Sequence, residues 1–428
     1  MRIFFIFFSF IFIISGCKKE NGKLMNSNDY NSYLNLKGNK TVDFALSEIK
    51  FWQNKYDKSP TQTSYLNKIA AYYSLLFEQT GNIEDLHKAE NLLIESNKKL
   101  NYKDVGSLRS LARNYITQHR FKEALTLAEK AYQIGEKLHE THKLLFDVQM
   151  ELGNYEKAKE SLKAIYDIND FDYLIRLAKW NDHKGDLNTA ISIMENASRM
   201  TEKLDNKSLM TWSYSNLGDM YGHAGKINDS YDYYLKTLNL DSNNSFALKG
   251  LAWIAFSHEK NTKEAKRILE IVSKKHNSPD FYLLKAEVAE YEKDFASQKK
   301  YLHDYFMMLD SNNYGVMYNK YNALLFSEEN KKLDEAFKIA NQEISNRPTP
   351  QSYDLLAWAY FKNGESEKAL KIVNEHVVKK SFEPEVMFHL ASIYKANNLL
   401  NEVKPIKKEL ESSIFELGPN MSAKIQSL

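Results

Sequence analysis

Apolar residues recur at helical spacing along most of this chain, and they do so as paired stripes. Leu111-Ala112 is followed by Tyr115, Leu217-Gly218 by Tyr221 and Leu356-Ala357 by Tyr360. A turn residue comes next (His119, Gly225 or Gly364), then a small residue in a second apolar stripe (Ala124, Ser230 or Ala369). Spacings of three and four predict helices, and the small turn residues predict a tight reversal between them. With the leucine as register mark, equivalent positions fall at Ile69, Leu111, Leu145, Leu177, Leu217, Leu251, Lys285, near Ala323, Leu356 and Leu390, and four of the nine steps equal 34 residues. Steps of 42, 40 and about 38 predict longer helices or loops, notably over 200–208, while Lys285 and the stretch near Ala323 break the pattern. Gly153, Gly185, Gly225 and Gly364 supply the left-handed backbone that ends a first helix. Runs such as Asn154-Tyr155-Glu156 then place a polar or acidic turn where the helix dipole favours it.

The N-terminus has a different pattern. Arg2 precedes an apolar run from Ile3 to Ile14, broken only by Ser9. Its 12 residues are too short to span a bilayer comfortably but suit the core of a secretory signal. Ile14-Ser15-Gly16-Cys17 follows. Residues 18–40 are rich in Asn, Lys, Ser and Gly and predict a flexible tether with a coil dimension of roughly 25–30 Å. Ala45, Ile49 and Trp52 at helical spacing predict a capping helix over 41–62, and Lys404 to Leu417 are expected to close the other end before a tail at 418–428.

Composition narrows the class. At 428 residues the chain exceeds the roughly 250–300 at which one core stops growing, so it must divide or repeat. Only 15 Gly and 7 Pro argue against loop-rich all-β architecture, so an all-α body is expected. With 58 basic against 56 acidic residues there is no basic field of the kind that drives nucleic-acid binding. One cysteine cannot build a disulfide, a thiolate zinc site or a haem attachment. Phosphate-binding, dinucleotide, nucleophile-elbow and H-E-x-x-H patterns are all missing from the sequence, and His139 and His142 stand three apart rather than four. No cofactor, metal site or catalytic group is expected.

The repeating unit resembles the tetratricopeptide repeat family. The best match is Tyr214-x-x-Leu217-Gly218-x-x-Tyr221 with Ser230, Tyr234 and Asp241-Ser242, followed by Tyr353-x-x-Leu356-Ala357-x-x-Tyr360 with Gly364 and Ala369. The resemblance covers residues 63–417 in about ten units and implies a right-handed α-solenoid with a concave groove. The segment before Cys17 resembles a bacterial lipobox. That resemblance implies a signal peptide over 1–16, an acylated Cys17 and anchoring in a membrane, with Lys18 favouring the outer one.

Carried onto this chain, the family's groove positions fall on Arg109, Arg113, Trp212, Phe246, Trp253, Phe256, Trp358 and Phe361. Arg109 and Arg113 lie four apart and either pair with a carboxylate or form a solvated face. A clamp for a C-terminal carboxylate is rejected, because Asp147 stands where the next unit needs a neutral or basic group. The pairs Trp253-x-x-Phe256 and Trp358-x-x-Phe361 either present aromatic platforms or pack between first helices. The expected function is a non-catalytic scaffold holding a protein or extended peptide, with no nucleic acid. The alternative is a nutrient- or glycan-capture lipoprotein working with a transporter, which leaves a small-molecule ligand open.

Overall fold

The computed structural model describes residues 24–428, and the apolar run and Cys17 lie outside them. Among the described residues the chain forms ten consecutive antiparallel helix pairs and no strand. The first pair is Ser64–Thr80 with Ile83–Lys99, and the last is Pro384–Ala396 with Leu400–Ser412. The molecule is an α-solenoid of tetratricopeptide-like units. Every register position named above lies on the first helix of its pair, including those where the pattern is weakest. Lys285 occupies a leucine position and is 8% exposed, yet its Nζ donates to Ser273 Oγ at 2.7 Å and pairs with Glu270 at 3.3 Å. The long repeat steps come from second helices of 17 residues, Ile83–Lys99, Leu187–Lys203 and Phe295–Ser311.

The turns inside the pairs need left-handed backbone. Gly153, Gly185, Gly225 and Gly364 have φ of 73°, 79°, 70° and 82°. Other units place His119, Lys260, Lys293 and Asn398 in the same region, where a side chain carries a steric cost. Ala112, Ala124, Ala158, Ala190 and Ala369 are fully buried where the helices approach. Tyr234 shows why small residues sit at these positions. A Cβ on Gly218 would stand 2.8 Å from its ring, and one on Gly250 would stand 2.3 Å away, so the ring fills the space between two first helices that only glycine leaves open.

The solenoid closes on itself. Gly81 lies against His276, Gly153 against Pro348, Gly185 against Phe382 and Gly222 against Phe415, in each case about 195 residues further along. The Asn277 amide donates to Thr80 O at 2.6 Å, and Asn346 Nδ2 donates to His119 O at 3.1 Å along the same seam. Arg347 and Glu151, 196 residues apart, are 3.5 Å from each other. The second superhelical turn is stacked on the first, so the inner face lines a channel between turns.

Two expectations about the termini change. The tether expected over 17–40 does not extend through residues 24–39. Met25, Tyr30 and Leu34 are 2% exposed or less and pack against second helices Ile227–Leu240 and Thr262–Lys275. The Met25 amide donates to Glu259 at 2.7 Å, Tyr30 Oη to Glu264 at 2.6 Å and Arg267 to Asn31 at 2.8 Å. Each buried apolar side chain contributes about 1.5–3 kcal/mol, enough to order a short polar stretch. Lys40–Lys58 is the N-terminal helix, capped by Asn39 Oδ1, and it packs on Ser64–Thr80. At the other end 418–428 is not a free tail. Met421–Gln426 is helical and buries Ile425 against the last pair.

Candidate binding channel

The inner wall is made by first helices, and the closed seam sets their ends against each other. The C-terminal ends of Leu138–Glu151 and Phe171–His183 face the N-terminal starts of Asn319–Ser327, Pro350–Lys362 and Pro384–Ala396. Between them lies a cavity of about 360 Å³. Acidic residues at helix starts and basic residues at helix ends are the arrangement that helix dipoles favour. Lys179 pairs with Glu151 at 2.8 Å and Lys320 with Glu385 at 2.8 Å. Burial opposes both carboxylates, but Lys179 holds Glu151 below the usual range and Lys320 does the same for Glu385. On the same wall Asp354 Oδ2 is 2.7 Å from His389 Nδ1, and both residues are buried. Burial pushes the Asp354 carboxyl up. It works against charge on His389, which the carboxylate nonetheless holds above its ordinary value.

A larger cavity of about 700 Å³ lies between the first unit and the first helices Lys207–His223 and Ser245–Trp253. Its wall carries Trp212 and Phe246, 39% and 45% exposed, among Gln79, Asn216, Asn243 and Asn244. Burial and the nearby Asp241 raise the pKa of Glu78 on its rim. Flat aromatic faces beside neutral donors and acceptors suit an extended backbone.

A third cavity, of about 380 Å³, has the chain's own C-terminal segment as part of its wall. Phe415 lies against Gly222, and its carbonyl accepts from Trp253 Nε1 at 3.0 Å and Ser257 Oγ at 2.6 Å. Ser257 comes from a π-helical turn, Ile254–His258, that continues the first helix of its unit. Glu416 is 3.3 Å from His223, which is 3.5 Å from Asp219. Burial opposes charge on His223, but Asp219, Glu416 and Glu383 raise its pKa to about 9. Burial, with Glu383, Asp219 and Asp182, pushes Glu416 up to about 7.

The structure separates the expected groove residues. Arg113, Trp212 and Phe246 are exposed. Trp253 faces the channel but is taken by the C-terminal segment. Phe256 is fully buried and Trp358 is 6% exposed, stacked on His389 at 3.9 Å with Phe361 at 5.0 Å, so this pair of aromatics belongs to the packing. Phe361 is partly buried in the same cluster. Arg109 is 7% exposed and donates to Thr141 Oγ1 at 3.2 Å, which fixes it to the next unit. Burial, then Arg113, lowers its pKa. Asp147 is held by Arg176 at 2.6 Å, an internal use of the acidic group that stands against a carboxylate clamp. Sequence reasoning missed the contact of His223 with Phe415-Glu416, whose partners lie far along the chain, and the pairing of Asp354 with His389, 35 residues apart on the first helices of adjacent units.

Among the described residues no three His, Cys, Asp or Glu side chains converge as a metal site, and no helix is long and apolar enough to cross a membrane. Residues 105–142 match the tetratricopeptide repeat family. The stretch matched holds the helices Val105–Thr117 and Phe121–Ile134 and the start of the next, which is one repeat. No curated protein matches the chain in sequence. Solved structures similar to it include the human IFIT1 dimer with m7Gppp-AAAA, at 11% identity over 76% of this chain and 75% of that one, with a TM-score of 0.48. Yeast Tom70 is 14% identical over 90% and 92% of the two chains, with a TM-score of 0.36. Rap protein complexed with competence and sporulation factor is 11% identical over 66% and 90%, with a TM-score of 0.45.

Proposed function

We propose that the protein is a non-catalytic scaffold that holds an extended segment of a protein partner in its inner channel. The observation that carries this reading is the wall of the 700 Å³ cavity, where Trp212 and Phe246 stay exposed, whereas Phe256 and Trp358 are packed and Trp253 is engaged by the C-terminal segment. Exposed rings flanked by amides hold an extended chain by stacking and by hydrogen bonds to its backbone. The chain's own C-terminal segment is bound in the neighbouring cavity by the same means, an aromatic slot and donors to a backbone carbonyl.

On the lipobox resemblance we place this scaffold in a bacterial envelope, anchored through an acylated Cys17 to the outer membrane. Met25 is eight residues past that cysteine, and eight residues reach at most about 30 Å, so the surface near Glu259 would lie within that distance of the lipid. Two measurements test the reading. A photo-reactive phenylalanine at Phe246 is expected to cross-link one dominant partner in cells, while the same group at the outer Tyr166 does not. Equal labelling at both positions overturns the channel as the site. Cys17→Ala is expected to move the protein from the membrane pellet to the soluble fraction, and retention in the pellet after a high-salt wash overturns the anchor.

A further inference from the structure

We propose that residues 413–420 are a removable cover on a peptide site, which takes from a partner a segment with an aromatic residue followed three positions later by glycine, the pattern of Phe415-Glu416-Leu417-Gly418. The chain's own segment shows what the site recognises. Phe415 lies against Gly222, where a Cβ would stand 2.9 Å from its ring, so the first helix leaves the ring a slot. Trp253 Nε1 and Ser257 Oγ both donate to the Phe415 carbonyl, an acceptor that any sequence can present. Ser257 reaches it from the π-helical turn Ile254–His258, and turns of this kind recur at functional sites in helices. Gly418 has φ of 79°, and a Cβ there would stand 3.0 Å from the Trp253 ring and 2.5 Å from Glu287 Oε1. The chain therefore leaves the site through a position that suits glycine alone.

Three features make the cover releasable. No residue of Ile414–Leu417 is fully buried, so lifting it takes no buried side chain out of the core. The segment is pinned at both ends, by Leu400–Ser412 and by Met421–Gln426, whose Ile425 is buried against the last pair. It can leave the site while the last unit stays closed. Its contact with His223 is also compromised. Glu416 is 3.3 Å from that ring, but burial, with Glu383, Asp219 and Asp182 around the same ring, pushes its carboxyl up to about 7. A partner segment with a neutral residue after its aromatic avoids this cost. The 700 Å³ cavity meets this one at Phe246, so lifting the cover lengthens the aromatic wall. The proposal does not need that cavity to hold a partner, and a failed cross-link at Phe246 leaves it standing.

The test is fluorescence anisotropy of a labelled peptide of residues 413–420, titrated with the full chain at neutral pH. In Phe415→Ala the chain's own cover is loosened, and saturable binding is expected. The intact chain is expected to bind about tenfold or more weakly, because its site is open for only a fraction of the time. A peptide carrying Phe415→Ala or Gly418→Val is expected not to bind, and Ser257→Ala added to the Phe415→Ala chain is expected to weaken binding severalfold. Should Phe415→Ala fail to fold, amide exchange in the intact chain carries the test. Corrected for intrinsic rates, residues 414–418 are expected to exchange about tenfold or more faster than Lys207–His223, through local opening. A folded Phe415→Ala chain that does not bind the peptide, equal binding by the intact chain, or exchange of 414–418 in step with that helix overturns the proposal.

Discussion

Two cavities on one inner wall have opposite chemistry. The space beside Trp212 and Phe246 is lined mainly by aromatic faces, amides and hydroxyls, with Glu78, Lys207 and Asp241 as its charged residues, whereas the space beside Asp354 is lined mainly by charges. Both are built from first helices, so the repeat itself does not explain the contrast. Position along the helix does. At the seam, helix starts stand over helix ends and bring charged residues of both signs together, with Glu383, Glu385 and Lys320 at starts and Glu151, Lys179 and Asp182 at ends. Between the first unit and the first helices Lys207–His223 and Ser245–Trp253, helix-capping residues such as Asn244 contribute, together with a face that presents rings. Closing the superhelix therefore turns helix ends into a cavity wall of their own, distinct from the helix faces on which tetratricopeptide-like grooves are expected to bind.

The sharpest break in that comparison is between rings that differ by ten positions. Phe256 is fully buried, so Phe256→Ala is expected to lower stability by about 3–5 kcal/mol, read as a drop in the midpoint of a denaturant melt. A loss below about 1 kcal/mol would mean that the ring faces the channel and the first-helix register is wrong. Next in size is Asp354→Ala. It strands His389 in the interior, but the imidazole sheds its proton, so the cost is expected near the lower end for broken buried pairs, about 3 kcal/mol. A double-mutant cycle with His389→Ala separates this coupling from lost packing, and additive losses would remove the pair from the account.

Much of the solenoid was legible because its determinants are local. The small residues at Gly218, Ala124 and Ala369, the left-handed turn glycines and the spacing of Leu and Tyr all act within a single pair of helices. Even the long repeat steps trace to second helices of 17 residues. What stayed hidden depends on contacts about 195 residues apart. Nothing near Gly222 indicates that Phe415 will lie against it, and nothing near Gly185 indicates Phe382. For the same reason the sequence leaves Trp253 between an aromatic platform and packing between first helices, and gives no sign that its indole donates to the Phe415 carbonyl. At the N-terminus, polar composition concealed three apolar residues, Met25, Tyr30 and Leu34, spaced to fit between two helices.

The third prediction uses pH to loosen the segment that packs against Trp253. His223, with its pKa raised to about 9, contributes stability that is complete below about 6.5 and is lost as pH rises through 9. Glu416 is raised to about 7, so ionising it in place disfavours the docked state increasingly between about 4.5 and 7. Burial, with Glu290 beside it, raises Glu287 to about 8, and Lys424 partly offsets this; its backbone carbonyl accepts from Asn420 at 2.9 Å. Asp182, Asp219 and Glu383 face the same histidine, so all the signs agree: docking weakens as pH rises. Intrinsic-rate-corrected amide exchange over 413–420 is expected to quicken severalfold between pH 7 and 9. His223→Gln should flatten most of that change. Salt should reduce it, because His223 is 42% exposed and screened by channel water. A profile that does not move in this window would put the hold on Phe415 rather than on the charges.

The smallest effect sharpens the comparison most. Phe246 lies on the first helix that leads to Phe256 and carries the same side chain, but it is 45% exposed and touches Tyr234 only edge-on at 6.4 Å between ring centres. An edge-to-face pair of this kind contributes about 0.5 kcal/mol at the lower end of its range, so Phe246→Ala should shift stability by about that much. Arg113→Ala, equally exposed, should do the same or less. A ring that adds almost nothing to folding and still sits on the wall of the largest of these cavities is available for recognition. If Phe246→Ala instead cost as much as Phe256→Ala, the ring would be part of the core, the cavity would be closed in solution, and the neutral half of the channel would lose its claim to a partner.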